Sequence, residues 1–300
     1  MTIPAEALFD ISGYSVKGFC VIPGFSEEKE VFRMKSRMTE LVAEWIPDEA
    51  VDSIFTTKGE QRRRDNYFVD SAEVVRFFLE EEAVDAESGK IKEGIAKEEL
   101  INKAGHGLHV SDDVFREFAS SRRVNEVVRA LGYRDAVVPQ SMYIFKQPRM
   151  GGQVGSHQDS AFLHTYPELS CLGLWLALDE ACLENGCLWV RPGSHTEALR
   201  RRYVRDSEGK VGFVWIEEPK YEAKLIDNPS EHGFIPVPVK SGDMVVIHGS
   251  LDHMSLANRS SKARHSFQLH LVEGPKAGIY WSDNNWLQYP AGKSFMSISA

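Results

Sequence analysis

The sequence predicts a mainly β protein with flanking helices: a helical N-terminal part over about residues 1–132, packed against a β-core over about 133–290. Apolar residues recur at helical spacing in two segments before Gly132. After Gly132 come short β-branched and aromatic runs separated by Gly, Pro, Ser and Asn, the punctuation of a sandwich or barrel. No linker separates the two parts, and 300 residues suit a single core.

Val16 to Pro23 reads as an entry strand. Ser26 is placed to cap a helix whose first turn carries Glu27 and Glu28. Its apolar face is Val31, Met34, Met38, Leu41, Val42 and Trp45, and Pro47 stops it. From Asp48 to Asn66 the chain is polar and irregular, with the run Arg62-Arg63-Arg64. Leu79 to Leu100 is acidic and reads as exposed, with a turn at Ser88-Gly89. A second helix is expected from Asp112 to Leu131, closed by Gly132. The expected strands are Ala136–Phe145, Leu172–Leu178, Gly186–Val190, Phe234–Val239, Met244–His248 and His265–Val272.

With 35 basic and 44 acidic residues, the net charge of −9 argues against nucleic acid or an anionic membrane as partner. No run of about 18 apolar residues is present to span a bilayer. The start, Met1 to Glu6, carries no secretion signal. Four cysteines without a CxxC pair suit a reducing compartment. The expectation is a cytoplasmic protein, and a monomer, because no heptad run asks for a partner helix.

The chain contains one His-x-Asp, His157-Gln158-Asp159. With 10 histidines and 16 aspartates in 300 positions, chance supplies about half an instance, so the tripeptide is weak by itself. Its approach, Gly151 to Ser156, is glycine-rich and follows a predicted strand. On extended backbone, residues two apart face the same way, so imidazole and carboxylate can grip one ion. A 2-His-1-carboxylate set on ferrous iron is the pattern of oxygen-activating non-haem enzymes. The candidates for its third ligand are His195, His248, His253, His265 and His270, with His195 read as a structural loop residue.

The set His157-x-Asp159, His253 and, 11 residues later, Arg264 resembles the iron(II)/2-oxoglutarate oxygenases, and in particular the phytanoyl-CoA dioxygenase family. Supporting segments are Gln140 to Pro148, Leu183 to Trp189, Arg191-Pro192-Gly193-Ser194-His195, Ser241-Gly242-Asp243 and Ile101 to His106, so the resemblance covers about Gly18 to Trp286. It implies a double-stranded β-helix (jelly-roll) core in a single domain. It makes His157, Asp159 and His253 the iron ligands, and the interval to Arg264 favours His253 over His248. Arg264 would hold the far carboxylate of 2-oxoglutarate through a guanidinium fork. Ser255 would share that carboxylate or an oxygen near the iron. Lys103, Met142 and Trp175 would line the cosubstrate pocket, one as a second cation and two as apolar walls. The implied reaction uses Fe(II), 2-oxoglutarate and O2 and releases succinate and CO2. The ligand carboxylate, which halogenating relatives lack, favours hydroxylation.

Taken singly, these residues have plainer readings. Met142 and Trp175 lie on predicted strands, where packing is the default. Arg264 and Lys103 alone would be surface residues, and His265 and His270 strand histidines satisfied by neighbours. The runs Arg62–Arg64 and Arg200–Arg202 read as solvated faces, with steering of an anionic substrate as the sharper alternative. The prime substrate is expected to be a small organic or acyl molecule, chosen by Asp48–Asn66 and Leu199–Asn228. The rivals are a cupin-like jelly-roll that binds metal or a small acid without oxygen chemistry, and a silent scaffold.

Overall fold

Side chains of the strand Ser266–Glu273 alternate between two environments. Phe267, Leu269 and Leu271 are buried in the main apolar core, and the intervening Ser266, Gln268 and His270 lie on the opposite face. The neighbouring strand Leu172–Ala177 behaves alike: Leu172, Leu174 and Leu176 join that core, while Trp175 and Ala177 join a second cluster behind the sheet. A sheet buried on both faces reads as continuous apolar runs, as the sequence does here.

The computed structural model describes residues 10–47, 54–55, 67, 71–85, 87–88, 90–216, 226–289 and 292–298. In chain order the elements are α1 (Tyr14–Lys17), β1 (Phe19–Ile22), α2 (Glu28–Glu44), β2 (Ile54–Phe55), β3 (Val75–Glu80), β4 (Ile101–His106), α3 (Leu108–Ser111), α4 (Asp113–Ala119) and α5 (Arg122–Ala130). Then follow β5 (Ala136–Ile144), β6 (Val154–His157), β7 (Thr165–Tyr166), β8 (Leu172–Ala177), β9 (Leu188–Val190), β10 (Arg201–Arg205) and β11 (Val211–Trp215). The last are β12 (Ile235–Val237), β13 (Met244–His248), β14 (His253–Ser255), β15 (Ser266–Glu273), β16 (Tyr280–Trp281) and β17 (Met296–Ser297). Among the described residues the major sheet runs β1-β13-β8-β15-β5-β4-β3-β2, with β17 on β5, and the minor sheet runs β12-β9-β14-β6. The antiparallel quartets β13-β8-β15-β5 and β12-β9-β14-β6 are the two halves of the expected jelly-roll.

Helix α2 buries Val31, Met34, Met38 and Val42 against the outer face of the major sheet, at about 1.5–3 kcal/mol of transfer free energy for each large apolar side chain. It starts one residue later than expected. Glu27 holds the cap position, and Ser26 instead ties its N–H to the Gly242 carbonyl at 2.9 Å. A Cβ on Gly242 (φ +88°) would lie 2.4 Å from the Ser26 carbonyl oxygen, so that turn requires glycine.

Several expectations are corrected. Besides the expected entry strand, the N-terminal part also contributes β3 and β4 to the major sheet, which the sequence reading did not assign. The acidic stretch from Leu79 buries Leu79, Glu80, Ala83, Val84 and Leu100, although Glu81, Glu82 and Glu87 are exposed. The second helix is broken at Ser120-Ser121: Asp112 caps α4 by accepting from Val114 N, and the Ser121 hydroxyl caps α5 by accepting from Val124 N. Gly132 closes α5 at φ +90°, as expected. The entry strand is the α1 turn followed by β1, and part of Leu199–Asn228 is the β10–β11 hairpin. Residues 217–225 lie outside the described residues, as do Arg62–Arg64 and all of Asp48–Asn66 except 54–55.

Candidate metal centre

Strands β6 and β14 are neighbours in the minor sheet, and His157 and His253 are direct cross-strand partners. Their ring centroids lie 4.2 Å apart. His157 Nδ1 lies 2.8 Å from the Gly155 carbonyl and His253 Nδ1 lies 3.0 Å from the Leu251 carbonyl. A carbonyl only accepts, so both Nδ1 atoms carry a proton and Nε2 is the ring nitrogen left to ligate. After His157 the chain enters a tight turn at Asp159, whose Oδ1 lies 3.6 Å from His157 Nε2 and 3.7 Å from His253 Nε2. At bonds of about 2.0–2.2 Å, one first-row ion spans donors up to roughly 4 Å apart, so the spacing fits. Burial, then the neighbouring His253, pushes the His157 pKa down to about 4, which keeps the ring neutral at pH 7. Burial opposes ionisation of Asp159, but His253, His270 and His157 outweigh it and hold the carboxyl below the ordinary range. Of the histidine candidates, the structure brings His253 to the site. His248 accepts instead from Ser250 N, at 3.1 Å.

Of the other expected residues, Ser255 ends β14 in the minor sheet, while Lys103, Met142 and Trp175 share the inward face of the major sheet. One cross-strand row runs Trp175, Gln268, Met142, Gly105, and another runs Ala177, Ser266, Ile144, Lys103. Lys103 is buried, its ammonium 5.1 Å from the Phe78 ring centre. Arg264 is buried just before β15, its guanidinium 5.1 Å from the Trp175 ring centre. Nη1 donates to the Gly186 carbonyl at 3.1 Å, Nε has no partner, and no carboxylate pairs with it among the described residues. Burial lowers its pKa to about 10, so it stays charged at neutral pH. Burying a guanidinium without a paired acid is costly. Trp175 both packs in the inner apolar cluster and stacks on this cation.

Two buried residues, Lys146 and Asp252, have no reading from the sequence. Lys146 is buried and donates to Ser255 Oγ at 3.0 Å and to the Gly152 carbonyl at 2.6 Å. Burial and Arg264 push its pKa well down, against the pull of Glu80. Asp252, beside His253, accepts from Arg200 through both oxygens at 2.8 and 2.9 Å, and from Arg191 and Ser156. Asp252 N in turn donates to Ser194 Oγ, so the Arg-Pro-Gly-Ser-His motif braces the ligand strand. Arg200–Arg202 is therefore not one solvated face. Arg200 grips Asp252, Arg202 reaches Asn284, and Arg201 stacks on Phe213 at 3.8 Å. His265 contacts Tyr143 OH at 2.7 Å, as a satisfied strand histidine should, but His270 reaches Asp159 at 3.2 Å. Only spacing across folded strands exposes these links.

Residues 14–266 match the family Phytanoyl-CoA dioxygenase (PhyH). The chain belongs to the phytanoyl-CoA dioxygenase family. It is 43% identical over 273 residues to "Phytanoyl-CoA dioxygenase" of Arabidopsis thaliana, covering 91% of this chain and 90% of that protein. It is 41% identical over 278 residues to "Phytanoyl-CoA dioxygenase domain-containing protein 1" of Mus musculus, covering 90% and 91%. In structure it resembles the epimerase SnoN in complex with Fe3+, alpha ketoglutarate and nogalamycin RO, at TM-score 0.62 and 15% identity over 97% of this chain and 91% of that one. It also resembles EctD from S. alaskensis with 2-oxoglutarate and 5-hydroxyectoine, at TM-score 0.55 and 18% identity over 87% and 74%. At such identities the likeness speaks for the fold.

Proposed function

We propose that this chain is an iron(II)- and 2-oxoglutarate-dependent dioxygenase that hydroxylates a small organic or acyl substrate and releases succinate and CO2. Arg264 carries the reading, as a buried cation without an acid, linked through Lys146 and Ser255 to the strand that bears His253. Family membership and the fold support the dioxygenase class. His157, Asp159 and His253 would hold iron, and Arg264 and Ser255 the far carboxylate of the keto acid, with Lys103, Met142 and Trp175 lining the pocket. Bound iron and 2-oxoglutarate supply the chemistry: O2 is reduced as the keto acid loses CO2, one oxygen atom ending in succinate and one in the hydroxylated product.

The chain's own part is to position and to exclude water. The Nδ1 protons of His157 and His253 are committed to carbonyls, so both rings present Nε2. Lys146 donates to Ser255 Oγ, which leaves the serine O–H free to donate to a carboxylate. Beside His157, Phe162 lies 6.1 Å away centre to centre, and Tyr203 and Phe213 follow at 5.6 and 5.5 Å from Phe162. This aromatic wall supports an apolar substrate body. Among the described residues no helix is long and apolar enough to cross a membrane, and the four cysteines are free. The reading includes a cytoplasmic monomer that does not act on nucleic acid.

Anaerobic addition of iron(II) and 2-oxoglutarate should give a weak visible charge-transfer band, and air should then give slow succinate formation. If neither appears, and Asp159→Ala leaves metal and keto-acid binding unchanged, the oxygenase reading is wrong and the cupin-like one takes its place.

A further inference from the structure

We infer that Gln140 and His270 are positioning residues: a two-link hydrogen-bond chain that ties off one oxygen of Asp159, so that this carboxylate ligates metal through the other oxygen alone. The inference rests on the metal-site reading of His157, Asp159 and His253.

His270 on β15 and Gln140 on β5 are direct cross-strand partners, and both side chains are buried. Gln140 Nε2 lies 3.1 Å from His270 Nδ1, and His270 Nε2 lies 3.2 Å from Asp159 Oδ2. An Nε2 lone pair set against a carboxylate oxygen would be repulsive, so the Nε2 proton faces Asp159. The Gln140 amide nitrogen faces Nδ1 and donates to it, which places the ring proton on Nε2. The two Asp159 oxygens therefore do different work. Oδ1 faces both ligand imidazoles at 3.6 and 3.7 Å, while Oδ2 is engaged by His270. On the other side of β15, His270 pairs with Gly173, where a Cβ would lie 3.3 Å from Oδ2. The row Gly173, His270, Gln140 thus both makes room for this oxygen and holds it.

A carboxylate free to turn can chelate through both oxygens and take a position that a facial triad must leave open. A fixed N–H on Oδ2 disfavours that mode and aims Oδ1. Outer partners of metal ligands typically carry about 10–100-fold in metal affinity.

The test uses the full chain and Mn(II), titrated calorimetrically without oxygen, together with the iron(II)/2-oxoglutarate visible band. His270→Leu should weaken Mn(II) binding about 10–100-fold and shift the visible band, with the apo protein's circular dichroism unchanged. His270→Gln, whose amide N–H can reach the same oxygen, should recover most of the affinity. Wild-type binding within about twofold in His270→Leu, or equal losses in His270→Leu and His270→Gln, overturns the inference while the metal site stands. If wild type binds no Mn(II), or Asp159→Ala binds it equally well, the metal-site reading falls and takes the inference with it. Should His270→Leu fail to fold, Gln140→Leu decides: a loss of about threefold or more supports the chain, and a smaller one overturns it.

Discussion

Arg264→Met is expected to cost cosubstrate affinity and leave the fold almost untouched. Burial draws the Arg264 pKa from 12.5 to about 10, which corresponds to roughly 3 kcal/mol of disfavour for the charged form. Against that stand one hydrogen bond to the Gly186 carbonyl and the stacking on Trp175, worth about 1.5–3 and about 2 kcal/mol. Methionine keeps an apolar stem on the Trp175 ring, so these opposed contributions should leave apo stability within about 1–2 kcal/mol of wild type. A keto-acid carboxylate that meets the guanidinium in a buried site has no such compensation. Truncating one partner of a buried charge pair costs about 2–5 kcal/mol, or roughly 30-fold to several thousand-fold in Kd. The assay is 2-oxoglutarate titration into the iron(II)-loaded protein, followed by its visible band, beside urea unfolding of the apo protein. Unchanged 2-oxoglutarate affinity with more than about 3 kcal/mol lost on unfolding would show that Arg264 is structural and does not bind the keto acid.

Asp252→Asn removes the acid shared by Arg200 and Arg191, and should cost about 3–5 kcal/mol by urea unfolding and weaken metal binding through the His253 strand. Lys146→Met should lower 2-oxoglutarate affinity about three- to tenfold by calorimetry, because Ser255 loses its donor. It should also lower stability, and Glu80→Gln in that background should recover part of the loss, since burial already raises the Glu80 pKa. His109 is buried, and desolvation lowers its pKa from 6.5 to about 4. The unfolded chain therefore binds more protons between those values. Its contribution, up to roughly 3 kcal/mol, is fully present above about pH 6.5 and is lost as pH falls towards 4. His109→Gln should make unfolding free energy fall less steeply as pH drops across that window, with His164, His248 and His265 keeping part of the slope, and an unchanged profile would sink the assignment.

Much of the fold was legible because local physics decides it. Met244–His248 is a strand with the expected bounds, and the α2 stripe of Val31, Met34, Met38 and Val42 is the buried face. The break at Ser120-Ser121 was less legible, because apolar spacing continues across it while the Ser121 hydroxyl starts a new helix. The strands Val154–His157 and His253–Ser255 are four and three residues long, too short for a periodic signal, yet they hold the candidate ligands.

The residues alone supply the inventory: two histidines and one carboxylate able to ligate, one arginine at a telling interval, and apolar stripes that can be buried as helices on a sheet. The tertiary structure decided how each group is used. Carbonyls at Gly155 and Leu251 choose the tautomers of His157 and His253. Sheet register puts His270 behind Asp159, 111 residues away, and Lys146 beside Ser255, 109 residues away. The same register separates three consecutive arginines into an acid clamp, an aromatic stack and an amide contact. Hydrogen bonds and ion pairs act over about 3 Å, so residue types announce what chemistry is possible, and only the folded distances say which of it is made.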